Sequence, residues 1–157
     1  MRLYVFIILF GLLFANDVFS NVLSKTFNPR VVIFNDVSSD ELEIRAPQKE
    51  FYARYDADTQ TFHELTIPFD VISKKGTTVD YLMTIPIMTS SCNADKETVF
   101  FDVNLSIDDK LWDGTGLRFT GINNSHKMKL NYPRIEQKNI NQQCTGTIGI
   151  QVQMATL

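Results

Sequence analysis

The sequence is short of the side chains from which reactive sites are built. It has two histidines, His63 and His126, and two cysteines, Cys92 and Cys144, all at scattered positions. A zinc site needs ligands at suitable spacing, and this set does not supply them. There is no GxSxG, no HExxH and no phosphate-cradling loop. Asp113-Gly114-Thr115-Gly116 contains a GxG, but nothing after it opens a helix, so it reads as a hairpin turn. The carboxylate pairs Asp40/Glu41 and Asp108/Asp109 are adjacent in loop-like stretches. Environments that split two pKa values are rare there, so both pairs read as solvated turn residues. His63 shares the parity of Leu65 and Ile67 and is expected at the inner end of a strand as a structural histidine, whereas His126 falls in an Asn/Ser-rich turn. The expectation is a protein that is not an enzyme and holds no cofactor and no metal.

Charge of one sign is scarce too. The formal net charge is −3, with acidic and basic residues interspersed. No Lys/Arg stripe is available to displace counterions from a phosphate backbone, which argues against nucleic acid as a partner. Lys74-Lys75 is followed at once by Gly76 and reads as a turn. The one long apolar run, Leu3 to Ala15, is shorter than the roughly 20 residues of a spanning helix. It follows Arg2 and precedes the small residue Ser20, the layout of a secretory signal peptide over residues 1–20. An uncleaved membrane anchor is the weaker alternative. In an exported chain, Cys92 and Cys144 are expected to form a disulfide, whose loop would remove about 4 kcal/mol of denatured-state freedom. Two separate thiols, one of them reactive, are the alternative.

What the sequence has in quantity is a hydrophobic period of two. Leu65, Ile67, Phe69 and Val71 alternate with Thr66, Pro68 and Asp70. Val79, Tyr81, Met83, Ile85 and Ile87 repeat the pattern, as do Val99, Phe101, Val103, Leu105 and Ile107. Alternation of this kind turns one face of a strand to a core and the other to water or a partner. Shorter stretches agree: Val31 to Phe34, Leu42 and Ile44, Phe51 to Tyr55, Leu117 to Phe119, Met128 to Tyr132, and Ile148, Ile150, Val152 and Met154 near the end. Turn signals separate them at Asp56 to Thr59, Lys74 to Gly76, Asp108-Asp109, Asp113-Gly114 and Asn123-Asn124. No window keeps a helical period with caps. Short strands at spacings of roughly ten residues predict an all-β sandwich. Pro68 and Pro86 lie on the polar parity of good strands; proline there favours an edge, a bulge or a strand end, either as protection against edge pairing or as a strand-switching kink.

The residues before Pro29 are unusual. Asn21 to Asn28 carries Leu23 and Phe27 around Lys25, and such apolar side chains are costly to leave in water. The segment either forms the first strand of its own domain or lies in a groove on another molecule. Here the chain resembles the pilins of the alternate chaperone–usher family, the colonization-factor type of fimbriae. Three stretches carry the resemblance: the extension running into Pro29-Arg30-Val31-Val32-Ile33, then Ala53-Arg54-Tyr55-Asp56-Ala57-Asp58-Thr59-Gln60-Thr61-Phe62, and the glycine-led closing segment from Gly146-Thr147-Ile148-Gly149-Ile150-Gln151-Val152 to Leu157.

That resemblance implies an incomplete immunoglobulin-like β-sandwich over residues 29–157, completed by donor-strand exchange. Residues 21–28 would be the donor extension, with Leu23 and Phe27 filling pockets on a neighbour. Ile148, Ile150, Val152 and Met154 would bound the acceptor groove. A periplasmic chaperone, an outer-membrane usher and neighbouring pilin subunits would be the partners, on a route through the periplasm to a fimbrium at the cell surface. Recognition would work by β-strand addition, and head-to-tail exchange builds a filament because it does not close. Major subunits of that family generally lack cysteine, so Cys92 and Cys144 point to a minor or tip-associated subunit. Two other readings stand beside this one: an adhesin that binds a host-surface receptor, for which Trp112 is the candidate exposed recognition residue, and a secreted single-domain β-sandwich binding protein that belongs to no polymer.

Overall fold

The structure, a computed structural model, describes residues 26–35, 41–138, 140 and 142–155. The expected signal peptide (1–20) and Leu23 lie outside the described residues, and the boundary drawn between residues 28 and 29 falls inside the first strand. The described residues are all-β. In chain order the strands are β1 (Thr26–Asn35), β2 (Leu42–Arg45), β3 (Ala53–Asp56), β4 (Thr61–Phe62), β5 (Leu65–Ser73), β6 (Val79–Ala94), β7 (Glu97–Phe100), β8 (Asn104–Ile107), β9 (Lys110–Leu111), β10 (Leu117–Gly121), β11 (Asn123–Asn131) and β12 (Gln142–Met154). No helix among them is long and apolar enough to cross a membrane.

Two sheets face each other. One has the order β10-β6-β12-β1-β3-β4, with β7 also on β6; the other has the order β2-β5-β11-β8-β9. Their inner faces meet in one core: Ile67, Phe69 and Val71 of β5, Leu105 and Ile107 of β8, and Met128 and Leu130 of β11 pack with Val79, Tyr81 and Met83 of β6 and Ile148, Ile150 and Val152 of β12. The period of two puts these residues inside, because successive side chains on a strand point to opposite faces. A smaller cluster of Ala53, Phe62, Cys92, Ile135 and Cys144 closes one end. Over it lies the irregular segment after β11, tied down by Ile135 N–H donating to Gln60 C=O at 2.7 Å and by the Tyr55 hydroxyl donating to Ile135 C=O at 2.7 Å.

Several sequence expectations need correction. The alternation from Val79 does not run unbroken to Ile87. The β6–β12 register shifts between Gly149 and Gln151, so β6 carries an additional residue at Ile85-Pro86. Beyond that bulge the buried positions are Ser90, Cys92 and Ala94, and Ile87 is exposed. A bulge switches the face each later side chain occupies. Pro86 sits at this bulge and also between the β6 residues that pair with β10 and those that pair with β7. Pro68 likewise lies where β5 has β11 on one side but has run past β2. Neither proline leaves a ladder position that requires its missing N–H.

The segment Val99 to Ile107 is two strands, because the chain crosses from the first sheet (β7) to the second (β8) at residues 101–103. Asp113 to Gly116 is likewise a crossing between β9 and β10 on opposite sheets, not a hairpin turn. Gly116 has φ +93 there, and a Cβ would stand 2.9 Å from Leu82 Cδ1, so the crossing needs glycine. Asn123 and Asn124 begin β11 opposite Ile72 and Val71 and do not form a turn. His63 is exposed between β4 and β5, because Phe62 takes the inward position.

Candidate functional site

β12 is the centre of the first sheet, and its two edges are filled differently. Along one edge it pairs antiparallel with β6, from Gln142 opposite Ala94 to Met154 opposite Tyr81. Along the other it pairs parallel with β1, from Phe27 opposite Cys144 to Asn35 opposite Val152. β1 and β12 can be parallel because the rest of the chain intervenes between them; parallel pairing needs a long connection. Val31 and Ile33 hold the rungs opposite Ile148 and Ile150. On its far side, among the described residues, β1 pairs with β3 through Thr26 opposite Arg54 and Phe27 opposite Ala53. Of the residues expected to bound an acceptor groove, Ile148, Ile150 and Val152 are buried in the main core and Met154 is half-buried against it. Phe27 lies on the ladder beside this strand, whereas Leu23 is outside the described residues.

The disulfide joins β6 to β12 at this site. Cys92 and Cys144 are directly opposite in the antiparallel ladder, with Cα atoms 3.9 Å apart, and both are buried. The expected pairing is therefore present, and its position could not be read from the sequence.

The sequence also hides a polar cluster between the sheets. His126 on β11 is only 3% exposed. Its Nδ1 lies 2.6 Å from Asp108 Oδ2 and its Nε2 lies 2.7 Å from the hydroxyl of Tyr81 on β6. Asn124 Nδ2 donates to the same hydroxyl at 2.8 Å. An ionised Asp108 can only accept, so Nδ1–H donates to it; in a neutral ring Nε2 then accepts the Tyr81 O–H, while the Tyr81 oxygen accepts from Asn124. Asp108 and Asp109 form the two-residue β8–β9 turn with φ of 50 and 64 degrees, the positive values of a type I′ hairpin. Asp108 is thus more than a solvated turn residue, since its Oδ1 also accepts the Lys127 N–H at 2.9 Å.

Burial, with the nearby Asp108 charge, pushes the Tyr81 phenol up to about 12, against the opposing hydrogen bond from Asn124. The His126 ring is enclosed by Phe119 and Phe69, with centroids at 4.5 and 5.3 Å. The group has the parts of an acid–base relay; His126 and Tyr81 are both buried, and their hydrogen bonds tie β11 and the β8–β9 turn of one sheet to β6 of the other. The signal was present in the period: counting back by two from Leu130 and Met128 reaches His126. The turn-like composition of Asn123-Asn124-Ser125 outweighed it.

No family model matches the chain, and no curated protein matches it. Among solved structures it is similar to the CooA pilin subunit from enterotoxigenic Escherichia coli, at 7% identity and a TM-score of 0.35. That likeness covers 79% of this chain and 96% of the other.

The remaining sites are modest. Trp112 is half-buried against the main core, and its N–H donates to Leu105 C=O at 2.8 Å. A groove of about 410 Å³ runs past the end of β2 and is lined by Arg45, Pro68, Asp70 and Lys127 among others. Arg45 is already engaged there by both carboxylate oxygens of Glu43 at 2.9 Å. Among the described residues no three His, Cys, Asp or Glu side chains converge as metal ligands.

Proposed function

We propose that this chain is a structural, non-enzymatic subunit of a chaperone–usher fimbria, joined to its neighbours by strand exchange at the edge of β12. One observation carries the reading: β12 is completed on its outer edge by the first described strand, which lies parallel to it and, among the described residues, shares two rungs with β3 on its other side. Main-chain hydrogen bonds do not distinguish a strand of the same chain from a strand of another copy, so an edge closed in this manner can be closed by a neighbour. Exchange passed from copy to copy builds an open filament.

On this reading residues 21–28 are the donor extension, with Leu23 and Phe27 as its anchoring side chains. Ile148, Ile150, Val152 and Met154 border the acceptor. A periplasmic chaperone and an outer-membrane usher handle the subunit before it reaches its neighbours at the cell surface. The buried disulfide fits a minor or tip-associated position and an oxidising route of export. Contact with a host receptor belongs to the same proposal.

The same observation also supports a second reading, in which β1 belongs permanently to its own sheet and the protein is a secreted single-domain binding module. The two separate on residues 21–157 exported to a periplasm with and without residues 21–28, followed by size-exclusion chromatography with light scattering. Polymers that vanish on deletion of 21–28 support the subunit. A stable monomer that loses only its fold on deletion supports the binding module.

A further inference from the structure

We infer that β1 is an autoinhibitory strand: while it pairs with β12, the chain closes upon itself the edge through which copies join, and joining waits for β1 to leave. The inference rests on the reading that joining takes place at β12.

Occupancy is the first argument. β12 has β6 along one edge and β1 along the other from Cys144 to Val152, so an incoming strand finds no free backbone groups over that stretch. β1 and a neighbour's strand are therefore alternatives at a single position.

Unequal attachment is the second. β6 is held to β12 by an antiparallel ladder and by the Cys92–Cys144 bond. β1 is held by a parallel ladder, which is slightly weaker per residue. Pro29, which lies in that ladder opposite Gly146, has no N–H to donate. On its other side β1 shares two rungs with β3 among the described residues. β1 also precedes every other described strand, so it can peel from β12 without unthreading the sandwich. Its departure bares the edge beside Ile148, Ile150 and Val152, an unpaired state that re-closes or accepts another strand.

A strand that must leave first makes joining unimolecular in its slow step. The half-life of the monomer should then be independent of protein concentration over a wide range.

The test uses residues 21–157 with Arg30→Cys and Thr147→Cys, which are ladder partners. The oxidised variant should stay monomeric, and a mild reductant should restore joining to the wild-type rate under the same reductant. Loosening provides the complementary variant. Val31→Pro with Val32→Pro removes a donor whichever of the two N–H groups faces β12, and should speed joining about five- to tenfold, the effect of roughly one net hydrogen bond. Joining of the oxidised locked variant at the wild-type rate, or a loosened variant no faster than wild type, overturns the inference. In that case polymers that still require residues 21–28 leave the strand-exchange reading standing. Chains that remain monomeric in both wild-type and loosened form overturn the two together.

Discussion

Phe27 and Cys144 are ladder partners in the parallel pairing of β1 with β12, and Cys144 is bonded through its sulfur to Cys92 on the opposite side. Ala53 of β3 lies beyond Phe27 and Val99 of β7 beyond Cys92, so five strands share one row at this level of the first sheet. Cys92, Cys144 and Ala53 are also members of the small second core. The covalent bond therefore sits in the smaller of the two apolar clusters, near the start of the closing strand.

Removing that bond should be felt across the whole domain. Cys92→Ala with Cys144→Ala frees a loop spanning a sequence separation of 52 and should lower the unfolding free energy by about 2–4 kcal/mol. Urea denaturation with and without reductant measures this. A double variant as stable as wild type would show that the ladders alone hold β12 on β6.

The inter-sheet bolt makes a second prediction. Tyr81→Phe leaves His126 Nε2 and one Asn124 N–H without their partner in a buried site. Stability should fall by about 1–3 kcal/mol, the usual penalty for a buried polar group left unpaired. Asp108→Asn keeps an acceptor for His126 Nδ1–H and should be the milder change. A milder effect from Tyr81→Phe than from Asp108→Asn would contradict this ordering.

Alkali should weaken the fold through tyrosine. Tyr81 holds its proton up to about 12 in the folded chain, against about 10 when unfolded. The folded state thus binds more protons than the unfolded one between those values. Its stabilising effect is complete below about pH 10 and is lost as pH rises toward 12. Burial raises Tyr132 in the same direction. Denaturation midpoints across this range, with tyrosinate absorbance followed in parallel, check the sign. Stability that rises with pH there would refute it.

The donor assignment has its own test. Leu23→Asp with Phe27→Asp should leave the domain foldable in the presence of chaperone and abolish subunit joining, because charged side chains cannot fill apolar pockets. Incorporation of the double variant into fibres at normal levels would sink the assignment of these two residues.

Much of the molecule could be read from alternation. Ile67, Phe69 and Val71, and Leu105 and Ile107, are buried where the period of two puts them, and the turns at Lys74-Lys75 and Asp108-Asp109 stand where predicted. Ile87 and Val99 carry the same pattern and are exposed. In the first case a bulge reverses the faces; in the second the strand, β7, is exposed along its whole length beside β6. Neither leaves a mark in local composition, because both depend on which strand lies alongside.

The sequence by itself determined the all-β class, most of the core and the pairing of its only two cysteines, since each follows from local alternation or from simple count. Tertiary structure decided that β1 runs parallel to β12, that Phe27 and Cys144 share a rung, and that Asp108, His126 and Tyr81 meet across two sheets. Those are relations between residues distant in the chain. Strand order and register select them, through hydrogen bonds that any backbone can make and that no side-chain pattern announces.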